Sequence, residues 1–108
     1  MNETPEDIRW GVVGPGHASA RFAEGLTAVH GAALNAVWGR NRDRTEAFAR
    51  RFGVRQTCSS FEELLAADLD AVYVGTHPDS HAGLCVRVLG AGKHVLCEKP
   101  SAINVREL

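Results

Sequence analysis

A glycine-rich turn near the amino terminus has the composition of a phosphate-binding loop. It is a G-x-G-x-x-S variant of the dinucleotide fingerprint and reads Gly14-Pro15-Gly16-His17-Ala18-Ser19. Gly14 permits a tight turn, and Gly16 lets the backbone approach a pyrophosphate at the N-terminus of the following helix. Ser19 replaces the third glycine, but its small side chain still allows close helix–strand packing. The turn predicts dinucleotide binding; the alternative is an ordinary strand-to-helix turn.

Arginines after the next apolar run bear on which dinucleotide binds. An acid about 20 residues past the fingerprint would accept hydrogen bonds from an unmodified adenosine ribose. This chain has Gly39 there instead, followed by Arg40, Asn41 and Arg44. Gly39 leaves room for a 2′-phosphate, which Arg40 and Arg44 could bind through charge-assisted contacts. The pattern favours NADP over NAD, although the same arginines could simply begin a solvated helix.

A third polar turn follows the apolar run Ala71 to Gly75. It reads Thr76-His77-Pro78-Asp79-Ser80-His81. A turn and a capped helix start account for most of these residue types, but not for the two histidines. We take Thr76, His77 and His81 as candidate cofactor contacts. No metal site is predicted, because the chain has no second cluster of ligands.

The last polar turn is Glu98-Lys99-Pro100, directly after the run His94 to Cys97. Proline disfavours helical geometry at the residue before it, so Lys99 should be extended at the end of a strand. An isolated lysine there would be read as solvated. Because three other ligand-type turns are expected at the same edge, Lys99 is the candidate catalytic residue and Glu98 its possible ionic partner.

Short apolar runs alternating with helical patterns must position these turns. Strands are predicted at Ile8 to Val13, Ala33 to Trp38, Val54 to Thr57, Ala71 to Gly75 and His94 to Cys97. Helices are predicted from about Ala18 to Gly31, over 42–52, after a capping box at Ser60 and Glu63, from about Ser80 to Leu89, and from Asn104 onward. This alternation predicts an α/β fold, a doubly wound parallel sheet of the Rossmann type with strand order 3-2-1-4-5. Ligands bind such sheets beyond the carboxyl ends of the strands.

The composition and charge of the chain limit the classes of partner that we expect. The 108 residues contain 44% hydrophobic and 23% charged residues, with 12 Lys plus Arg against 13 Asp plus Glu. This near-neutral balance gives no electrostatic reason to expect a nucleic acid or a membrane surface as partner. An acidic start without an apolar signal region leads us to expect a cytoplasmic protein. Cys58, Cys85 and Cys97 lack metal-ligand spacing and are predicted to be reduced thiols.

Together these stretches resemble a known family. "WGVVGPGHAS", "AVWGRNRDRTEAFARRFGV", "AVYVGTHPDSH" and "AGKHVLCEKP" closely resemble the amino-terminal half of the Gfo/Idh/MocA oxidoreductases, the family of glucose-fructose oxidoreductase and inositol dehydrogenase. The resemblance runs from about Ile8 to Leu108. It implies a Rossmann domain that binds NAD or NADP, followed by an α/β substrate domain. The implied reaction is hydride transfer between nicotinamide C4 and a carbinol carbon of a sugar, inositol or related polyol.

The resemblance also implies roles for individual residues. Gly14 to Ser19 match the glycine loop, Gly39 the ribose-selecting position, and Arg40 and Arg44 the contacts of the 2′-phosphate. The turn beside the nicotinamide matches Thr76, His77 and His81. Lys99 matches the lysine that hydrogen-bonds the reacting hydroxyl and assists its proton transfer.

Two departures from the family pattern affect these expectations. His77 stands where many relatives have proline, and the D-x-x-x-H motif of the family's carboxyl-terminal domain is not in this sequence. We therefore expect residues 1–108 to be an incomplete NAD(P)-binding domain without its substrate domain, from a protein that is a homo-oligomer at full length. The alternative is a non-catalytic dinucleotide-binding or regulatory module.

Overall fold

A five-stranded parallel sheet organises the chain. The computed structural model describes residues 7–29, 31–75 and 78–97, without the side chains of residues 78–82. The strands are β1 Ile8–Val13, β2 Ala32–Trp38, β3 Gln56–Thr57, β4 Ala71–Val74 and β5 His94–Cys97. All their pairings are parallel, and their order is β3-β2-β1-β4-β5. The predicted fold class and strand order are confirmed.

Among the described residues, four helices cover the sheet, two on each face. They are α1 His17–Thr27, α2 Arg42–Phe52, α3 Phe61–Ala66 and α4 Pro78–Gly90. Successive side chains of a strand point to opposite faces. Val13 therefore packs in the core beneath α3 and α4, whereas Val12 packs in the core beneath α1 and α2. All four residues of β4 are buried, as the unbroken apolar run predicted for a central strand.

Several element boundaries differ from the predicted ones. α1 ends at Thr27 instead of continuing to Gly31, and α4 begins at Pro78, before Ser80. β3 is only two residues long and exposed, because Val54 directly follows Gly53, the C-cap of α2, and its N–H donates to the Ala49 carbonyl of that helix. The helix predicted from Asn104 lies outside the described residues.

Side chains close the start of two helices. The Asn41 side chain accepts a hydrogen bond from the Arg44 N–H at 2.9 Å and caps α2. The Ser60 hydroxyl accepts from the Glu63 N–H at 3.0 Å, and the Glu63 carboxylate accepts from the Ser59 N–H at 2.7 Å. The predicted capping box therefore forms, with the carboxylate reaching one residue further back than the serine cap.

The cysteines differ from one another. Cys58 is buried and free, and burial, assisted by the charge of Glu63, raises the pKa of its thiol to about 11. The structure pairs Cys85 in α4 with Cys97 in β5 as a disulfide, with Cα atoms 7.6 Å apart. That separation exceeds the roughly 4.4–6.8 Å of most disulfides. The prediction of a reduced thiol is confirmed for Cys58. For Cys85 and Cys97 the packing of α4 on β5 brings the two sulfur atoms together, a contact that their spacing along the chain did not predict.

Ion pairs close the amino-terminal edge of the sheet. The Arg9 guanidinium donates two hydrogen bonds to the Asp70 carboxylate, at 3.0 and 2.9 Å, and also pairs with Asp68. The Arg9 backbone N–H donates to the same Asp70 carboxylate at 2.8 Å. These hydrogen bonds lower the pKa of Asp70 to about 2. The Lys93 ammonium group donates to the carbonyls of Ala67 and Leu69.

Candidate functional site

Three turns meet at the carboxyl-terminal edge of the sheet. Val13, the last residue of β1, pairs with Trp38 on one side and with Val74 on the other, so the three strands end level. The Gly14 N–H then donates to the Trp38 carbonyl at 2.8 Å, and the Gly75 N–H donates to the Val13 carbonyl at 2.9 Å. The glycine turn therefore lies between the turns that follow β2 and β4, as the strand order predicted.

A cleft of about 330 Å³ opens between these turns. Its lining residues come from all three turns and from α4, and they are Gly14, Pro15, Gly16, Trp38, Gly39, Arg40, Asn41, Arg44, Gly75 and Leu84. None of these described lining residues is acidic. Most of the candidate residues of the first two turns therefore share one cavity.

The glycine turn offers hydrogen-bond donors to this cleft. Gly14 has a φ of 93°, a left-handed conformation that favours glycine. Gly16 is the N-cap of α1, but no side chain caps this helix, and its first turn contains no acid. A Cβ at Gly16 would meet no atom within 4 Å, so the backbone there borders open space. These features fit an anion such as a pyrophosphate, which uncapped N–H groups and the helix dipole stabilise.

The remaining residues of the glycine turn are placed differently. His17 is exposed and lines a neighbouring groove of about 530 Å³ between α1 and α2. Ala18 is half-buried. Ser19 is fully buried behind the turn, and a Cβ added to Gly75 would lie 2.2 Å from its hydroxyl oxygen. Its small side chain thus allows the close packing of α1 and β4 that the sequence predicted.

The arginines after β2 are available for a ligand. Arg40 and Arg44 are exposed and line the cleft. Within the described part of the chain, neither guanidinium forms an ion pair or a hydrogen bond, whereas Arg42 pairs with Glu46 and Arg51 with Glu24. The two arginines selected from the sequence are therefore free to bind an anionic group, whereas Arg42 and Arg51, which do not line the cleft, are already paired with carboxylates.

Gly39 is packed more tightly than the sequence suggested. A Cβ at this position would lie 2.6 Å from Cδ of Pro15 and 2.7 Å from Oγ1 of Thr45. Contacts this short require the neighbours to move. The surrounding packing therefore requires glycine at position 39. The missing side chain also leaves room for a ligand.

The candidate residues of the last two turns are described in part or not at all. Thr76, His77, Glu98 and Lys99 are outside the described residues, and His81 is described only as a backbone position in α4. Val74 pairs with Cys97, so β4 and β5 end at the same edge as the cleft.

Sequence reasoning missed four residues of the site. Trp38, Gly75 and Leu84 line the cleft, and Thr45 packs beneath Gly39. Gly75 carried a usable signal, because a glycine that ends a buried strand often marks a close approach of backbone. Thr45 carried none, since its role depends on a contact between α2 and β2.

Two further searches concern the residues that the structure describes. In that part of the chain, no group of three or more His, Cys, Asp and Glu side chains could hold a metal ion. Likewise, none of its helices is both long enough and apolar enough to cross a membrane.

Comparisons with known proteins agree with this architecture. A family model described as "Oxidoreductase family, NAD-binding Rossmann fold" (GFO_IDH_MocA) matches residues 8–108. The chain is 35% identical over 101 residues to scyllo-inositol 2-dehydrogenase (NADP(+)) IolU of Bacillus subtilis, covering 93% of this chain and 31% of that protein.

Two solved structures are also similar. KijD10, a 3-ketoreductase from Actinomadura kijaniata solved with NADP and TDP-benzene, is 38% identical with a TM-score of 0.82, covering 88% of this chain and 30% of its own. GenD2 from gentamicin A biosynthesis, solved with NAD, is 33% identical with a TM-score of 0.84, covering 94% and 30%.

The chain thus spans about a third of the length of these relatives. The matched third contains the parallel sheet, the glycine turn and the cleft described above. On this evidence the chain belongs to the Gfo/Idh/MocA oxidoreductase family, as its NAD(P)-binding Rossmann domain.

Proposed function

We propose that this chain is the nucleotide-binding part of an oxidoreductase that prefers NADP. We propose further that the whole protein oxidises a carbinol carbon of a sugar, inositol or related polyol, or reduces the corresponding carbonyl carbon. The cleft at the carboxyl edge carries the proposal. Its walls combine the uncapped start of α1 with the free guanidinium groups of Arg40 and Arg44, and none of the lining residues that the structure describes is acidic.

Each part of the cleft has a task in this proposal. The N–H groups at Gly16 bind the pyrophosphate, and Gly39 with Arg40 and Arg44 accepts the 2′-phosphate. Asn41 caps the start of α2 by accepting from the Arg44 N–H and so fixes the backbone that carries Arg44. The two relatives named or solved with NADP support this preference, whereas GenD2, solved with NAD, represents the competing one.

The remaining cofactor contacts are proposed from the resemblance. Thr76, His77 and His81 border the nicotinamide, which supplies or accepts the hydride when the cofactor is bound. Lys99 hydrogen-bonds the reacting hydroxyl and assists the transfer of its proton. A lysine in this role works best when burial or the positive charge of the oxidised ring lowers its pKa toward neutrality.

Cofactor titration tests the preference. NADPH should raise the melting temperature of this chain more than an equal concentration of NADH, because the stabilisation by a ligand that binds the folded state grows with the logarithm of its concentration over its dissociation constant. The double variant Arg40→Ala, Arg44→Ala should weaken NADPH binding by about 10- to 100-fold per lost charge-assisted contact and leave NADH nearly unchanged.

Arg50 provides a matched control for this loss of charge. It is an exposed arginine of the same helix that does not line the cleft. Arg50→Ala should leave both dissociation constants within about twofold, the range of a screened, distant charge. Tighter binding of NADH than of NADPH by the unaltered chain would refute the cofactor assignment.

The catalytic assignment needs the protein that carries this chain together with a substrate domain. There Lys99→Ala should abolish turnover while the dissociation constant of NADPH stays near its original value. Turnover close to normal in that variant would remove Lys99 from the mechanism, whichever cofactor is bound.

A further inference from the structure

Side chains from two different elements enclose position 39. The ring of Pro15 reaches it from the turn between β1 and α1, with Cδ 2.6 Å and Cγ 3.2 Å from where a Cβ would be. The hydroxyl of Thr45 reaches it from α2, at 2.7 Å. Real Cβ atoms essentially never have contacts below 3.0 Å. Any residue other than glycine here must displace both neighbours.

Neither neighbour can move easily. The pyrrolidine ring fixes the φ of Pro15, so its Cδ cannot rotate away as a flexible side chain would. Thr45 is only 1% exposed, and its hydroxyl donates to the Asn41 carbonyl at 2.7 Å. A β-branched side chain also has few χ1 alternatives in a helix. The enclosure is therefore rigid on both sides.

This enclosure bears on cofactor choice. NAD-selective Rossmann sites place an acid near the end of the second strand, where its carboxylate binds the ribose 2′-hydroxyl. In this chain such an acid at position 39 would have to place its Cβ inside the Pro15 and Thr45 contacts. The same contacts keep the position bare beside Arg40 and Arg44.

We propose that Pro15 and Thr45 are specificity-determining residues, which exclude an acid from position 39 and thereby commit the cleft to a cofactor with a 2′-phosphate. This inference rests on the proposed NADP preference and deepens it. It assigns the preference to Gly39 together with Pro15 and Thr45, whereas the sequence analysis assigned the choice of ribose to Gly39 and the two arginines.

A double-mutant cycle tests the enclosure itself. Gly39→Ala adds only the Cβ, and it should lower the melting temperature by roughly 5–15 °C, as overpacking does in a domain of this size. In the background Pro15→Ala, Thr45→Ala the same substitution should lower it by less than half as much, because the contacting atoms are gone. An equal loss in both backgrounds would overturn the inference.

Gly25 supplies the matched glycine control. It lies in α1, and a Cβ there would meet no atom within 4 Å. Gly25→Ala should leave the melting temperature unchanged or raise it slightly, because alanine favours helix and no contact is disturbed. A loss comparable to that of Gly39→Ala would show that the cycle measures a general effect of losing glycine.

The cofactor readout then separates this inference from the function it rests on. Gly39→Asp alone should weaken NADPH and NADH together by about tenfold or more, since the site is distorted. In the Pro15→Ala, Thr45→Ala background, Gly39→Asp should bind NADH better than NADPH. A clean switch to NADH by Gly39→Asp alone, without loss of stability, would refute the enclosure and leave the NADP preference of the unaltered chain intact.

Discussion

The two edges of the sheet differ in how their charged and polar groups are paired. At the amino-terminal edge, Arg9 is paired with Asp68 and Asp70, and Lys93 donates to two carbonyls. At the carboxyl-terminal edge, α1 starts without a side-chain cap, and the guanidinium groups of Arg40 and Arg44 have no partner among the described residues. Charges are neutralised within the chain at one edge and left available at the other.

The direction of the strands explains this asymmetry. In a parallel sheet with connecting helices, helix N-termini gather at the carboxyl ends of the strands, and their dipoles favour an anion there. The opposite edge collects strand starts and helix ends, where residues such as Arg9 and Asp70 can close the gaps between elements. Substitutions at the closed edge should therefore change stability, and substitutions of charge at the open edge should change ligand binding.

The largest effect is expected where the open edge is also tightly packed. Gly75→Ala should lower the free energy of unfolding by about 2–3 kcal/mol, because its Cβ would overlap the buried Ser19 hydroxyl and the ring of Tyr73. It should also weaken both cofactors, since the wall of the cleft must shift. Chemical denaturation and cofactor titration measure the two effects.

Ser19→Ala provides the rescue for that variant. It removes the hydroxyl oxygen that would lie 2.2 Å from the new Cβ. That oxygen has no hydrogen-bond partner among the described side chains and backbone. In the Ser19→Ala background, Gly75→Ala should cost clearly less free energy of unfolding. Identical costs in the two backgrounds would show that this contact does not set the spacing of α1 and β4.

An intermediate effect is expected at the closed edge, with a distinct pH dependence. Asp70→Asn should lower the free energy of unfolding near pH 7 by about 1.5 kcal/mol, after allowance for the partial exposure of the pair. Since the pKa of Asp70 falls from 3.8 to about 2 on folding, its contribution is complete above about pH 4. The difference between the two proteins should disappear as the pH falls from about 4 to about 2.

Cofactor binding provides the contrast for this variant. Asp70 lies at the edge opposite the cleft, so Asp70→Asn should leave the ratio of the NADPH and NADH dissociation constants unchanged. A changed ratio would mean that the two edges are coupled and would break the comparison. Denaturation curves at several pH values and cofactor titration at pH 7 together test whether the two edges are independent.

The smallest effect is expected at Asn41, which belongs to the open edge but also caps α2. Asn41→Ala should lower the free energy of unfolding by about 1 kcal/mol through the lost cap. Asn41→Asp should keep the cap and the stability, yet weaken NADPH selectively because a negative charge then lies beside the proposed 2′-phosphate site. Equal affinities for NADPH in Asn41→Asp and the unaltered chain would place the 2′-phosphate elsewhere.

Much of this architecture could be predicted from local signals. The apolar run Ala71 to Gly75 predicted a central strand, Asn41 predicted the start of α2, and the alternation of elements predicted the strand order. The predicted length of β3 was too great, because Val54 is apolar and was included in the strand. Its N–H instead donates to the Ala49 carbonyl at the end of α2. Apolar composition alone does not distinguish a strand from the residues that end a helix.

The amino-acid sequence by itself determined the fold class, the family and the convergence of the turns after β1, β2 and β4, because periodicity and glycine placement are local properties of the chain. Tertiary structure alone decided which arginines remain unpaired, that Cys85 meets Cys97, and that Pro15 and Thr45 enclose Gly39. Each of these depends on distances between elements that are far apart in the sequence. Spacing along the chain carries no record of such distances, so packing alone sets them.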